Sequence, residues 1–374
     1  MKLKNKKKKK DNDNIKFGCY IYQDDLRFKD ILHIALECER LGYDSIWLKD
    51  NYIPWLYDYL VSQSGNNNNT TTNNRTRSNR QYRQEHHQNQ VQQQYQKSIE
   101  NKSMLECWTV LSSLAVLTTK IKLGTILVNL YRNPAIVAKM ASTLDNISNG
   151  RLELGLSAGW YQKEAESYGV TFPTGYTRVE MLKESIILIR KLLDPNNIAK
   201  ISFKGRYYNI SNSECNPKPV QKPHLPLWIG GGGKKTLNIA TKYADAWIYG
   251  LCSFDEYLEK ISFLKQNWEN DDYGNNRIRC SRSYGEITTG WHGILLLGKD
   301  KDELKKRKIR VLDRKAQLKD SNFIISGTPN RILNEINKYL NIGVTYFIIY
   351  FPDLPDKLSL RLFAEHIISH IRST

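Results

Sequence analysis

The stretch LWIGGGGKKTLNIATKYADAW, Leu227 to Trp247, decides how the rest of this chain is read. It passes from a short apolar strand through four consecutive glycines and two lysines into an amphipathic helix, and ends at the start of another apolar strand. Strand–helix–strand order implies a parallel sheet. Glycine lets a backbone approach a ligand and adopt conformations closed to other residues. A helix beginning near Lys234 turns unpaired N–H groups and the positive end of its dipole toward that loop. Strand, glycines, base and helix in this order make an anion site, best suited to a cofactor phosphate; a flexible glycine turn is the plain alternative.

The alternation continues on both sides. Upstream, strands are predicted at Phe17–Ile21, Ser45–Leu48, Ile121–Val128 and Arg151–Ser157. Helices are predicted at Phe28–Leu41, closed by Gly42, at Glu106–Thr118, at Pro134–Ser148 with proline in the first turn, and at Thr177–Leu193. FKGRYYNI, Phe203–Ile210, reads as a small hairpin. Downstream, strands Ala246–Tyr249, Gly293–Leu297 and Thr345–Tyr350 alternate with helices that include Pro329–Leu340 and Ser359–Arg372. Eight strands with intervening helices predict a closed (β/α)8 TIM barrel, which needs about 250 residues of the 374 present. A doubly wound open sheet is the alternative, disfavoured because no G-x-G-x-x-G opens the first helix.

One segment breaks the pattern. Residues 62–103 are rich in Asn and Gln and nearly free of aliphatic side chains, so they cannot bury enough apolar surface to offset chain entropy. They read as a disordered insertion after the second strand, near the mouth of a barrel. His86 and His87 within it read as a solvated pair rather than metal ligands, and no metal site is expected.

The formal net charge of +18 resembles a nucleic-acid signal, but its location argues otherwise. Residues 1–16 carry eight lysines against Asp11 and Asp13, and the 62–103 insertion adds a net +4. More than half of the surplus therefore lies in these two segments. Residues 1–14 read as a disordered basic tail ahead of a single barrel domain. Nucleic-acid motifs are absent, and the rest of the charge suits an enzyme with acidic ligands. Six scattered cysteines, at 19, 38, 107, 215, 252 and 280, form no C-x-x-C pair, which fits reduced thiols in a cytoplasm. No apolar run approaches the ~20 residues of a membrane span, and the lysine-rich start is not followed by a signal-peptide core.

Chemistry in such a barrel sits at the C-terminal ends of the strands. That selects Asp50, Asn51, Trp55, Ile126–Asn129, Arg132, Ser157–Trp160, the Gly230–Gly233 loop and the end of the last strand. Arg132 reads either as a partner for an anionic substrate or cofactor tail or as a surface charge at a helix start. Glu106 either faces the pocket or sits at a helix N-terminus, Glu164 positions polar groups near the site, and His224 lies at the wrong end of its strand for catalysis.

Five motifs resemble the luciferase-like monooxygenase superfamily and its branch that uses the deazaflavin coenzyme F420. They are LGYDSIWLKDN, LECWTVLSSLAVLTTKIKLGT, YRNPAIVAKMASTLDNISNGRLELGLSAGW, NPKPVQKPHLPLWIGGGGKKTL and SGTPNRILNEI…GVTYFII, spanning residues 17–350 apart from the insertion. The resemblance implies a TIM barrel with the cofactor ring at its C-terminal mouth. Gly230, Gly231, Gly232, Gly233 and Lys234 would hold the phosphate. Ile126, Leu127, Val128 and Asn129 would back the ring on a bulged third strand, with a non-prolyl cis peptide at Ile126–Leu127. Ser157, Ala158 and Gly159 would give backbone contacts. DNYIPW resembles the family's D-H-x-x-P-W, so Asp50, Asn51 and Trp55 would shape the substrate side, but Asn51 replaces the histidine that shuttles protons. Trp160 stands where some dehydrogenases carry a carboxylate, and reads either as a flat wall against a ring or as core. Both departures argue against sugar-phosphate or secondary-alcohol dehydrogenation.

The resemblance thus implies an F420-dependent oxidoreductase acting on a small molecule, with a homodimer expected. An FMN-dependent monooxygenase and a cofactor-binding protein without turnover are the alternatives. The Lys- and Asn-rich composition points to an AT-rich genome and, among F420 makers, to an archaeal source.

Overall fold

The computed structural model describes residues 14–54, 103–269, 287–315, 318 and 323–373. Apart from Asn14 and Ser103 at their edges, the basic tail and the 62–103 insertion lie outside the described residues. The chain runs β1 (Lys16–Ile21), α1 (Phe28–Leu41), β2 (Ser45–Lys49), α2 (Cys107–Leu117), β3 (Lys122–Val128), α3 (Pro134–Ile147), β4 (Leu152–Ser157), α4 (Gln162–Ser167) and α5 (Gly175–Leu193). A hairpin of β5 (Ile201–Lys204) and β6 (Asn209–Ser213) follows. Then come β7 (Leu227–Gly230), α6 (Lys234–Tyr243), β8 (Ala246–Gly250), α7 (Phe254–Glu269), β9 (Thr288–Leu297), α8 (Lys301–Arg314), β10 (Ile324–Gly327), α9 (Pro329–Asn341) and β11 (Tyr346–Tyr350). The C-terminus is α10 (Leu358–Phe363), a π-helical turn (Ala364–Ile368) and α11 (Ser369–Ser373).

Strands β1, β2, β3, β4, β7, β8, β9 and β11 pair in parallel in that order, and β11 returns to β1. The result is a closed (β/α)8 barrel, which leaves no free edge among these eight strands. The helices form where local sequence supports them. Helix α1 buries Ile31, Ile34, Ala35 and Cys38 on one face and ends at Gly42. Glu106 caps α2 by accepting from the amides of Trp108 and Thr109, at 3.0 and 2.7 Å. Asn133 caps α3, whose first residue is Pro134.

Aromatic side chains fill the lower barrel. Trp47, Trp228 and Tyr346 meet edge to face with ring centroids 4.9–6.2 Å apart. Their polar atoms are satisfied within the barrel: Trp47 Nε1 and Tyr346 Oη each donate to Ser45 Oγ at 2.8 Å, and Trp228 Nε1 donates to Glu153. This plug leaves the C-terminal half of the barrel as the place where a ligand can enter.

The structure departs from the sequence reading in four elements. Strand β9 begins at Thr288, five residues before the apolar run at Gly293. Its first half, TTGWH, lacks a strand pattern but is paired on both sides, Ala246↔Thr288 and Tyr346↔Gly290, so barrel closure overrides propensity. Strand β10 and helix α4 are short additions that no run of periodic residues announces. The final helix is interrupted by the π turn. No described helix is long and apolar enough to cross a membrane.

Candidate active site

A cavity of ≈ 460 Å³ opens at the C-terminal ends of the strands. Its floor is apolar, made by Tyr20, Trp47, Ile126, Ile248 and Ile348 from five strands. Its rim comes from the loop Ser157–Trp160 after β4, from Gly230 and Gly231 after β7, from Tyr249–Leu251 at the end of β8, and from Arg178 in α5. Gly231 has φ +129°, a conformation that side-chain-bearing residues rarely adopt. A Cβ on Gly232 would stand 2.6 Å from the Tyr249 ring, so only glycine lets this loop lie against it. Helix α6 then starts after Gly233, and Thr236 in its first turn lines the cavity. The first amides of α6 have no intrahelical acceptor, which makes this rim a donor-rich, electropositive edge. Arg178 adds a cation: its Nε and Nη1 donate to the carbonyls of Gly159 and Pro173, at 3.3 and 2.5 Å. Burial lowers its pKa from the ordinary value, though a guanidinium remains charged.

Beside the cavity lies a separate polar network. Asp50 is buried; it accepts from the Val128 amide at 2.8 Å and from Arg132 Nη1 at 2.9 Å on both oxygens. Burial pushes its carboxyl up to about 6, against the opposing pull of Arg132 and the Val128 amide. Arg132 also donates to Glu106 at 2.7 Å. Glu106 stays below the usual carboxylate range because the Thr109 and Trp108 amides and Arg132 outweigh its burial. Glu164 on α4 is fully buried and accepts from the Tyr52 and Ile53 amides at 2.7 and 3.0 Å, from Asn51 Nδ2 at 2.8 Å, and from the Tyr131 hydroxyl. One carboxylate thus ties the loop after β2 to the loop after β3.

The cavity gathers some of the residues singled out by sequence and leaves others aside. Ile126, Ser157, Ala158, Gly159, Trp160, Gly230 and Gly231 line it. Trp160 is 40% exposed, which makes it wall rather than core. Leu127 instead faces the helices and is buried in the outer core, because alternation along β3 turns every second side chain outward. Asn129 is also turned away and donates to the Tyr208 hydroxyl at 3.2 Å. The Val128 side chain packs near Gly159, and its amide serves Asp50. Asp50 and Asn51 belong to the polar network and not to the lining, and Trp55 lies outside the described residues. Gly232, Gly233 and Lys234 shape the turn into α6 behind the rim.

The expected bulge and non-prolyl cis bond at Ile126–Leu127 are absent. Every described cis peptide precedes a proline, and β3 keeps unbroken register with both neighbours from Leu123 to Ile126 and on to Val128 against β4. A trans strand here satisfies the ladder without a break. Arg132 is not free for an anionic ligand, since Asp50 and Glu106 already hold it. His224 lies at the opposite end of the barrel, 3.0 Å from Asp245. Burial alone would raise the Asp245 carboxyl, but His224 and Arg190 hold it well below the usual carboxylate range.

Among the lining residues that the sequence reading does not single out are His292 and Arg178. His292 is hidden because the apolar run of β9 begins only at Gly293, after it. Arg178 was one basic residue among several on a long amphipathic helix, with no motif to mark it. Burial brings the His292 imidazole down to about 3, so it is neutral at physiological pH.

The family model for luciferase-like monooxygenases matches residues 82–312. The chain belongs to this family. Over 92% of the chain and 95% of the relative, it is 23% identical to an F420-dependent glucose-6-phosphate dehydrogenase of Amycolatopsis mediterranei. Over a shorter stretch, 40% of the chain and 38% of the relative, it is 34% identical to the pyrimidine monooxygenase RutA of Variovorax paradoxus. Both sources are bacterial, so the compositional hint of an archaeal origin gains no support. Among solved structures, an F420-dependent secondary alcohol dehydrogenase in complex with an F420-acetone adduct superposes with a TM-score of 0.70 over 95% of this chain and 98% of that one. At 18% identity that likeness is one of fold.

Proposed function

We propose that this luciferase-like chain is an F420-dependent oxidoreductase acting on a small organic substrate. The observation that carries the reading is the pairing, in one cavity, of an electropositive glycine rim with flat apolar walls. The residues present fit a phosphate-bearing ring cofactor. Gly231 on the rim holds a backbone conformation suited to glycine, Arg178 and the start of α6 supply charge and donors, and ≈ 460 Å³ falls in the roughly 300–1,000 Å³ typical of ligand pockets. When bound, the deazaflavin would accept or give hydride at C5. This chain's own residues would do the rest. Gly230, Gly231, Thr236 and Arg178 would hold the phosphate, and Ile126 and Trp160 would face the ring. The loop Ser157–Gly159 would contact it through backbone, and the aromatic floor would exclude water.

Full-length similarity to F420-dependent glucose-6-phosphate dehydrogenase supports the cofactor but not the sugar phosphate. Asn51 replaces the family histidine and spends its amide on Glu164. The higher local identity to a pyrimidine monooxygenase favours a second reading, an FMN-dependent monooxygenase. A homodimer in the cytoplasm belongs to the main proposal.

Fluorescence titration of the purified protein with F420 and FMN side by side separates the readings. Tight F420 binding with FMN at least tenfold weaker is the expected result. The reverse order, followed by oxygen uptake with reduced flavin, would move the chain to the monooxygenases.

A further inference from the structure

His292 forms part of the cavity wall, and its Nε2 is buried with no hydrogen-bond partner among the described residues. The ring sits edge to face with Tyr20, centroids 4.7 Å apart, and 6.2 Å from Tyr22. Its own strand is held without it, since the His292 carbonyl accepts from the Leu251 amide at 3.1 Å. A buried imidazole nitrogen left unbonded is a cost that folded chains seldom keep unless a ligand relieves it. Among the described residues the cavity lining contains no carboxylate that would hold the imidazole as a cation. The imidazole χ2 torsion is broad, and the ring would use it to present a nitrogen to a ligand in the cavity that it lines.

We propose that His292 is the polar anchor of this cavity, donating from a neutral imidazole to a carbonyl oxygen of the bound ligand. The inference rests on the proposed function in taking a ring cofactor and a small carbonyl substrate as the occupants. Either can supply that oxygen. The role differs from the proton exchange that Asn51 cannot perform, because a neutral donor orients and polarises without changing charge.

Two variants of the full chain test it. His292→Leu fills the space without a donor, and His292→Gln keeps an N–H. F420 affinity is read by fluorescence titration, with FMN run in parallel. The imidazole state is read by its 15N resonances at pH 7, with cyclohex-2-enone, an unsaturated carbonyl, added to the F420-saturated protein. If the oxygen is the cofactor's, His292→Leu weakens F420 binding about tenfold and His292→Gln restores most of it. If it is the substrate's, F420 affinity is unchanged and cyclohex-2-enone shifts the wild-type imidazole 15N signal. Equal losses in both variants would mean shape and not hydrogen bonding. Neither an affinity change nor a 15N response, or an imidazole doubly protonated at pH 7, would likewise overturn the assignment. A wild-type preference for FMN would revise the cofactor alone, because the FMN arm tests the same anchor.

Discussion

The two sides of the barrel mouth treat their polar atoms in opposite ways. On the β2–β3 side, Asp50, Glu106, Arg132 and Glu164 use one another and nearby amides. On the β7–β9 side, α6 begins beside the cavity rim without a side-chain cap, and the His292 imidazole of the cavity wall has an Nε2 with no hydrogen-bond partner among the described residues. Buried polar groups that are fully bonded within the chain hold shape, whereas those left open wait for something that is not protein. The difference assigns scaffolding to the first side and ligand recognition to the second, although the sequence motif had placed the substrate contacts on the first.

The hardest test of that division is Glu164→Ala. It would strip two backbone amides, Asn51 and Tyr131 of their shared acceptor. With each buried orphan costing about 1–3 kcal/mol before relaxation, we expect a loss of about 3–5 kcal/mol in urea unfolding. A loss below about 1 kcal/mol would show that this network is not scaffold.

Asp50 and His292 offer a pH contrast of opposite sign. The Asp50 pKa in the folded chain, about 6, lies above its unfolded value, so the folded state binds the extra proton between them. Its contribution is fully present below about pH 4 and falls by about 3 kcal/mol as pH rises through 6. Relative to Asp50→Asn, the wild type should therefore lose stability between pH 4 and pH 7. His292 is depressed to about 3, so its contribution is present above its unfolded pKa of about 6.5 and is lost as pH falls toward 3. Unfolding free energies at pH 4 and 7 for both Asp50 forms decide the matter, and a pH-independent difference would discard the Asp50 assignment.

The barrel was legible because each unit repeats the same punctuation. Apolar runs such as Leu227–Ile229 and Tyr346–Tyr350, with caps such as Asn133–Pro134 and Gly42, state their roles locally. The site was less legible because which atoms meet is a property of register and burial. Ile126 and Leu127 are adjacent in sequence and apolar alike, yet alternation sends one to the cavity and the other to the helices. Asp50 carries a family motif but spends both oxygens on Arg132 and Val128, while His292 sits in a half-strand that only barrel closure reveals.

Trp160→Ala should have the smallest effect on stability and is the most selective probe of the open side. The side chain is 40% exposed and stacks on Tyr161 with centroids 5.0 Å apart, so its removal forfeits little burial. We expect the unfolding free energy to change by no more than about 1 kcal/mol, as for other partly exposed aromatics. F420 affinity should nevertheless fall several-fold, because a flat wall presented to a cavity acts on whatever stacks there. Measuring both on one preparation separates the roles. A large stability loss with unchanged affinity would return Trp160 to the core and close the apolar wall on which the cofactor reading depends.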